Sequence, residues 1–303
     1  MKPDVQIFQI YYAPEQFANL DARFEPFDNT GQSDPFLEFD VIRRLHQRAS
    51  LEHTQLWGAV SWKFGQKTGL TGDALHAYLQ ANPGFDVYFC NPYPEKEALY
   101  QNLWLQGETA HPGFFELAQH LFAKAGLPAN GCTQFVHSGW FSAANYILAT
   151  PAFWRSYIAF VDAVMNAALA PEHEPLGQRM RCHSADARGL HAGASFIPFM
   201  VERLLTVFLM SDAGAHLRGH KYPLPARELR LDVHLRHLRS MKDAACQTRS
   251  VWLANCWLNY RNLYLAASQN QAWLDRYLPV LNAPAPSFGQ APAPTAMATS
   301  QSL

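Results

Sequence analysis

The chain has 303 residues, of which 49% are hydrophobic and 16% are charged. Its 24 Lys and Arg residues nearly balance its 25 Asp and Glu residues, so the net charge of −1 argues against a protein that binds duplex DNA or another nucleic acid. Five cysteines, an odd number with no CxxC pair, predict reduced thiols in a cytoplasmic protein and argue against a disulfide scaffold. No apolar run reaches the length of about 18 residues that would predict a transmembrane helix.

Strands and helices alternate along the first two thirds of the chain. Asp34 and Pro35 open a helix as its N-cap and first residue, and Thr71 caps another. The expected strands lie at residues 5–12, 24–27, 56–64, 85–90, 133–137 and 145–149. The other expected helices begin near His111 or cover residues 151–169 and 196–210. This alternation predicts an α/β fold with a largely parallel sheet.

The remaining segments are less regular. Residues 171–193 are polar and read as a long loop, and helices with unplaced breaks are expected between residues 227 and 278. From residue 283 onward the sequence is rich in Pro, Ala and Ser and has no charged residue, which predicts a disordered tail. The expected organisation is an α/β core over 1–195, a helical part packed on it over 196–282, and a tail over 283–303.

Polar and aromatic side chains follow three of the predicted strands. In α/β sheets, ligands bind beyond the carboxyl ends of the strands, so these side chains predict a pocket at one sheet edge. Core packing for the tyrosines and a plain turn at Asn91 are the alternatives. The residues concerned are Gln9, Tyr11, Tyr12, Lys63, Asn91 and Tyr93.

The helix at residues 196–210 carries two charged residues in an otherwise apolar segment. Burying Glu202 without a partner would cost several kcal/mol, so it needs a cation or a ligand. Arg203 is its sequence neighbour, and residues one apart on a helix do not face each other. We therefore expect the two side chains to point elsewhere, either as two separate structural ion pairs or with Glu202 at a functional site.

Seven short segments lie between residues 5 and 210, namely QIYY, FDNT, DVIRRL, WKF, DVYFCNPYP, NYILATPAFW and FMVERLLTVFL. Together they resemble bacterial polysaccharide-type glycosyltransferases of the GT-A-like kind, including capsular and galactofuranosyl-type enzymes. The resemblance implies a GT-A-like mixed sheet flanked by helices, a nucleotide-sugar donor and a surface-glycan acceptor. It places Gln9 to Tyr12 beside the nucleotide base, Asp86 to Asn91 at the donor strand, and Glu202 with Arg203 behind the reacting centre.

The sequence departs from this family at one point. GT-A enzymes usually carry Asp-x-Asp after the donor strand to hold a metal on the diphosphate, whereas Asn91-Pro92-Tyr93 offers no carboxylate pair. We therefore expect no required cofactor or metal, with Lys63 or Arg203 neutralising the leaving phosphate. Glu202 and Asp86 are the candidate catalytic carboxylates. Peripheral association with a membrane is a further expectation, and a non-catalytic protein of the same fold that binds sugars or a partner is the alternative.

Overall fold

The structure is a computed structural model that describes residues 4–32, 34–182 and 193–267. The chain divides into two units, residues 1–261 and residues 262–303. Of the second unit, the structure describes residues 262–267, which form the end of the last helix. The predicted tail at 283–303, and residues 183–192 of the predicted loop, lie outside the described residues.

A six-stranded sheet, in the order β2-β1-β3-β5-β4-β6, forms the centre of the described chain. All neighbouring strands are parallel except β5, which is antiparallel to both β3 and β4. Pro26 lies in the edge strand β2, where a missing backbone N–H is tolerated. The strands are β1 (Val5–Tyr11), β2 (Glu25–Asp28), β3 (Leu56–Ser61), β4 (Val87–Phe89), β5 (Ile147–Ala149) and β6 (Gly219–Lys221).

Helices flank this sheet. The α-helices are α1 (Glu38–His46), α2 (Phe64–Thr68), α3 (Gly72–Ala81), α4 (Pro94–Leu99), α5 (Leu103–Ala110), α6 (Phe114–Lys124), α7 (Pro151–Leu169), α8 (Glu174–Arg181), α9 (Ile197–Met210), α10 (Pro225–Glu228), α11 (Val233–Thr248) and α12 (Val251–Ala267). Short 3-10 helices lie at Pro14–Asn19, Ala49–His53, Ala129–Cys132, Ser138–Trp140 and Pro171–His173.

The two faces of the sheet are buried in two separate hydrophobic clusters. Successive side chains of a strand point to opposite faces, so Phe8 and Ile10 of β1 join one cluster and Ile7 joins the other. The larger cluster takes its helical side chains mainly from α1, α6, α7 and α9, and the smaller one takes Leu75 and Leu79 from α3. The sheet is thus covered on both faces, as parallel sheets require.

Trp57 and Trp154 join the sheet to α7. Their rings stack with centroids 4.8 Å apart, and the indole N–H of Trp154 donates to the Trp57 carbonyl over 2.9 Å. Both residues are buried, and a buried indole N–H needs such an acceptor. This contact fixes α7 across β3, the strand that contributes to the candidate site.

The mixed α/β architecture confirms the predicted fold class at that level. The expected strand at residues 133–137 is wrong, since that segment lies between two 3-10 helices and forms no strand. The expected loop after residue 171 contains α8, and the part expected to be only helical contributes β6, which pairs with β4. These short elements carry too few apolar repeats to be recognised by periodicity.

Candidate functional site

The carboxyl ends of β1 and β3 enclose a cavity. After β1 the chain runs to β2, on one side of the β1–β3 pair, and after β3 it runs to β4, on the other side. The carboxyl ends of β1 and β3 therefore flank a topological switch point. Ligands of open α/β sheets bind at such points. The cavity has a volume of about 130 Å³ and is lined by Tyr12, Leu37, Glu38, Ser61, Trp62, Lys63 and Lys67.

Tyr12 and Glu38 form one wall of this cavity. Burial, and after it the neighbouring Glu38 carboxylate, raises the pKa of the Tyr12 hydroxyl, so this group stays protonated. Glu38 is the first residue of α1 and follows Leu37, whose φ of 50° is unusual for a residue with a side chain. Strained backbone of this kind is concentrated at ligand sites and active sites. Here it lies directly before Glu38, at the start of α1.

Lys63 and Lys67 form the opposite, cationic wall. Lys63 precedes α2 and Lys67 lies one turn later, a spacing that puts both side chains on one helix face. Within the described ranges, no carboxylate lies within 4.0 Å of either ammonium group. Two such cations at the mouth of a cavity are suited to a phosphate group.

Glu202 does not line this cavity, but its carboxyl group interacts electrostatically with two lining residues, Glu38 and Lys67. Its side chain keeps 26% of its surface exposed, and the rest is enclosed by protein. Burial raises the pKa of Glu202 to about 7; Arg203 and Lys67 lower it, and Glu38 raises it further. A carboxyl group that titrates near neutral pH can accept or donate a proton under physiological conditions, which is the property of a general base or acid.

Arg203 does not reach the cavity. Its side chain is buried, with Nε donating to the Leu103 carbonyl over 3.0 Å and an Nη donating to Gln106 Oε1 over 2.6 Å. The remaining nitrogen donates to the Phe199 carbonyl over 2.6 Å and lies 3.8 Å from Glu202 Oε2, so Arg203 makes its hydrogen bonds with other groups and only a long contact with Glu202. Since its donors are held by the protein, Arg203 lacks the access that its predicted role in donor binding requires.

Gln9 and Tyr11 do not line the cavity. The Gln9 amide donates to the carbonyls of Ser61 and Trp62 over 3.4 and 3.3 Å, and its oxygen accepts from the Asp21 N–H over 2.7 Å. Gln9 therefore holds the end of β3 against β1. Tyr11 packs edge-on against Phe17 with ring centroids 5.6 Å apart, on the β2 side of the strand.

The residues around β4 separate into two places. Asp86 precedes β4 and accepts a hydrogen bond from the Arg218 N–H over 2.7 Å, at the amino end of the strand. β4 runs in the same direction as β1 and β3, so its amino end and the cavity lie at opposite ends of the strands. Asp86 is at this amino end, which contradicts its predicted placement at the reacting centre. Asn91 and Tyr93 follow the strand at the same edge as the cavity but do not line it.

Two charged lining residues, Glu38 and Lys67, escape prediction from the sequence. Glu38 is hidden among the charges of an amphipathic helix, and Lys67 falls in a helix of five residues that follows a predicted strand. The spacing Lys63-x-x-x-Lys67 was the available signal, and it is informative only once residues 64–68 are known to be helical.

Comparison of the chain with protein-family models, with curated proteins and with solved structures finds no match. Over the residues that the structure describes, no helix has both the length and the apolar character needed to cross a bilayer. The same residues contain no cluster of three or more His, Cys, Asp or Glu side chains that could hold a metal ion.

Proposed function

We propose that the protein is a GT-A-like glycosyltransferase that moves a sugar from a nucleotide-sugar donor to a glycan acceptor. The observation that carries the proposal is the cavity at the carboxyl ends of β1 and β3, which combines two lysines with the carboxylate of Glu38. The six-stranded mixed sheet flanked by helices is compatible with this fold. The sequence segments that resemble such enzymes include the ends of both strands.

The donor fits this cavity through its diphosphate. A volume of about 130 Å³ is smaller than the roughly 300–1,000 Å³ of pockets that enclose a whole ligand, so the cavity holds one part of the donor. Lys63 and Lys67 would neutralise the charge that develops on the diphosphate as it leaves. Since both are cations of the chain itself, donor binding should not require a metal.

The reaction also needs a base for the proton of the acceptor hydroxyl. The acceptor hydroxyl attacks the anomeric carbon, the bond from that carbon to the phosphate oxygen breaks, and the diphosphate departs with the electron pair. The proton of the hydroxyl must pass to a base, and Glu202 titrates in the right range for it. Tyr12, which stays protonated, can donate a hydrogen bond to a ligand oxygen in the cavity.

Calorimetry with UDP, GDP and CDP tests donor binding. We expect one of these nucleotides to bind in the micromolar to millimolar range, with the same affinity in EDTA and in manganese. Failure of all three to bind contradicts the proposal. Binding only in the presence of manganese contradicts the role assigned to the lysines.

A non-catalytic protein of the same fold, which binds a sugar or a partner, is the second candidate. The positions of Asp86 and Arg203, two predicted functional residues that lie away from the cavity, favour it. Release of nucleoside diphosphate from nucleotide sugars separates the two, since a binding protein would bind the nucleotide without turnover.

A further inference from the structure

A second cavity, of about 220 Å³, lies at the carboxyl ends of β4 and β6. Asn91 is the second residue after β4. Lys221 is the last residue of β6, and Tyr222 follows it. The other walls come from α4, through Glu97, and from Glu228 and Arg239 of α10 and α11. None of these residues lines the cavity at β1 and β3, so the two cavities are built from different side chains.

The charged groups of this second cavity balance one another. Lys221 Nζ pairs with Glu97 Oε1 and donates to the Ser138 carbonyl over 2.7 Å. The guanidinium of Arg239 forms a two-pronged pair with Glu228, with both N–O distances 2.7 Å. Two cations thus face two carboxylates, and a phosphate placed here would meet the carboxylates of Glu97 and Glu228. The site favours a ligand without net charge.

Asn91 adds an acceptor that the protein leaves unused. Its Nδ2 donates to the Tyr93 carbonyl over 3.0 Å and to Glu97 Oε1 over 2.8 Å, and these two acceptors fix the orientation of the amide. Its Oδ1 is buried and has no hydrogen-bond partner in the described chain. A buried carbonyl oxygen without a donor is costly, so the amide of Asn91 is held here by its own two hydrogen bonds.

The two cations of this cavity keep spare donors. An ammonium group has three N–H donors, of which Lys221 uses two, and a guanidinium has five, of which Arg239 uses two in its pair with Glu228. A hydroxyl group both donates and accepts, so it can accept from one of these cations and donate to the carboxylate of Glu97 or Glu228 at once. We infer that the cavity at β4 and β6 binds a neutral, hydroxyl-rich ligand, namely one unit of a sugar.

Both cavities open at the same edge of the sheet, because β1, β3, β4 and β6 all run in one direction. On the proposed function, a sugar in the second cavity is the acceptor of the reaction. This acceptor role rests on the proposed function, whereas the binding of a sugar does not. A negative result for UDP binding by calorimetry would contradict the proposed function, and a negative result for sugar binding would contradict this inference. Each can occur without the other.

Saturation-transfer NMR with the methyl β-glycosides of glucose, galactose and N-acetylglucosamine tests the inference, with inorganic phosphate as the anionic probe. The variant is Glu228→Gln with Arg239→Gln, because both side chains are partly exposed and their joint replacement leaves no charge unpaired between them. Glu228→Gln alone is the milder second variant. The matched control is Glu116→Gln with Arg179→Gln, which removes another two-pronged pair, at an exposed site outside the cavity.

We expect wild type to bind at least one glycoside. The double variant at 228 and 239 should bind it about tenfold or more weakly, and the control should bind it as wild type does. Thermal melting checks that each variant is folded, and UDP binding should be the same in all of them. Three results would overturn the inference: no glycoside bound by wild type, equal binding by the folded cavity variants, or competition by phosphate for the same site.

Discussion

The carboxylate of Glu202 lies 3.8 Å from a guanidinium nitrogen of Arg203, although the two are sequence neighbours on α9. The distance is too long for a hydrogen bond, and Arg203 directs its shorter contacts to Leu103 and Gln106. Arg203 therefore compensates Glu202 only in part, and the pKa of Glu202 remains raised to about 7. Arg203 thus anchors α9 in the core, and Glu202 remains able to exchange a proton.

Arg203→Met should destabilise the fold. The change removes the donors to the Leu103 carbonyl and to Gln106, and it removes the nearest cation of Glu202, all in a buried environment. We expect the free energy of unfolding to fall by about 3 kcal/mol or more. Urea denaturation measures it, with Arg179→Met at an exposed ion pair as the control, where a change within about 0.5 kcal/mol is expected. An unchanged unfolding midpoint for Arg203→Met would show that these hydrogen bonds contribute nothing.

Glu202→Gln should change how stability depends on pH. The pKa of Glu202 is raised from 4.5 to about 7, so between these values the folded state binds more protons than the unfolded state, and stability falls as pH rises. Gln stays neutral and lacks this fall. We expect the variant to match wild type near pH 4 and to exceed it by about 1–3 kcal/mol at pH 8. A variant less stable than wild type at pH 8 would mean that the pair with Arg203 outweighs burial.

The same variant reports on catalysis. If Glu202 is the base of the proposed transferase, Glu202→Gln should cut turnover by about a hundredfold or more, while UDP affinity changes little. Release of UDP from UDP-sugars at pH 7 measures it, once a donor is identified by calorimetry. Glu174→Gln, on the surface helix α8, is the control and should turn over as wild type does. Full activity in a folded Glu202→Gln protein would leave Glu202 with a purely structural role.

The sequence predicts the long elements of this fold and the general place of the site, for clear physical reasons. The strand beginning at Val5 and the helix of residues 151–169 have long, unambiguous apolar patterns, and the structure has them at nearly the same bounds. β4 and β5, of three residues each, are apolar and are predicted from the sequence, whereas β6 has the sequence Gly-His-Lys, which carries no apolar pattern. The carboxyl-end rule places Tyr12 and Lys63 correctly at one cavity. The family resemblance misplaces Asp86 at the reacting centre, because this residue precedes β4 and lies at its amino end.

Leu37 offers a test of the strained backbone beside Glu38. Its φ of 50° and ψ of −118° are the mirror image of an extended conformation, which glycine adopts readily and other residues do not. Leu37→Gly and Leu37→Ala both remove the side chain, so their difference isolates the strain. We expect the Gly variant to be more stable than the Ala variant by about 1 kcal/mol or more. At Gln119, exposed in α6, the same pair of changes should favour Ala by about 1 kcal/mol, and equal behaviour at both positions would contradict the strain.

The lysine pair carries the most direct test of the site. Lys63 and Lys67 line the cavity at β1 and β3, and in the described chain neither has a carboxylate within ion-pair distance. Because no ion pair is broken, Lys63→Met with Lys67→Met should leave the unfolding midpoint nearly unchanged. The loss of two cations beside the diphosphate should weaken binding of the nucleotide by about ten- to a hundredfold and flatten its dependence on salt. Calorimetry at low and high salt measures both effects, with Lys96→Met and Lys124→Met together as the control outside the cavity. If the control and the cavity variant bind the nucleotide equally, the phosphate does not lie between Lys63 and Lys67, and the proposed donor site is wrong.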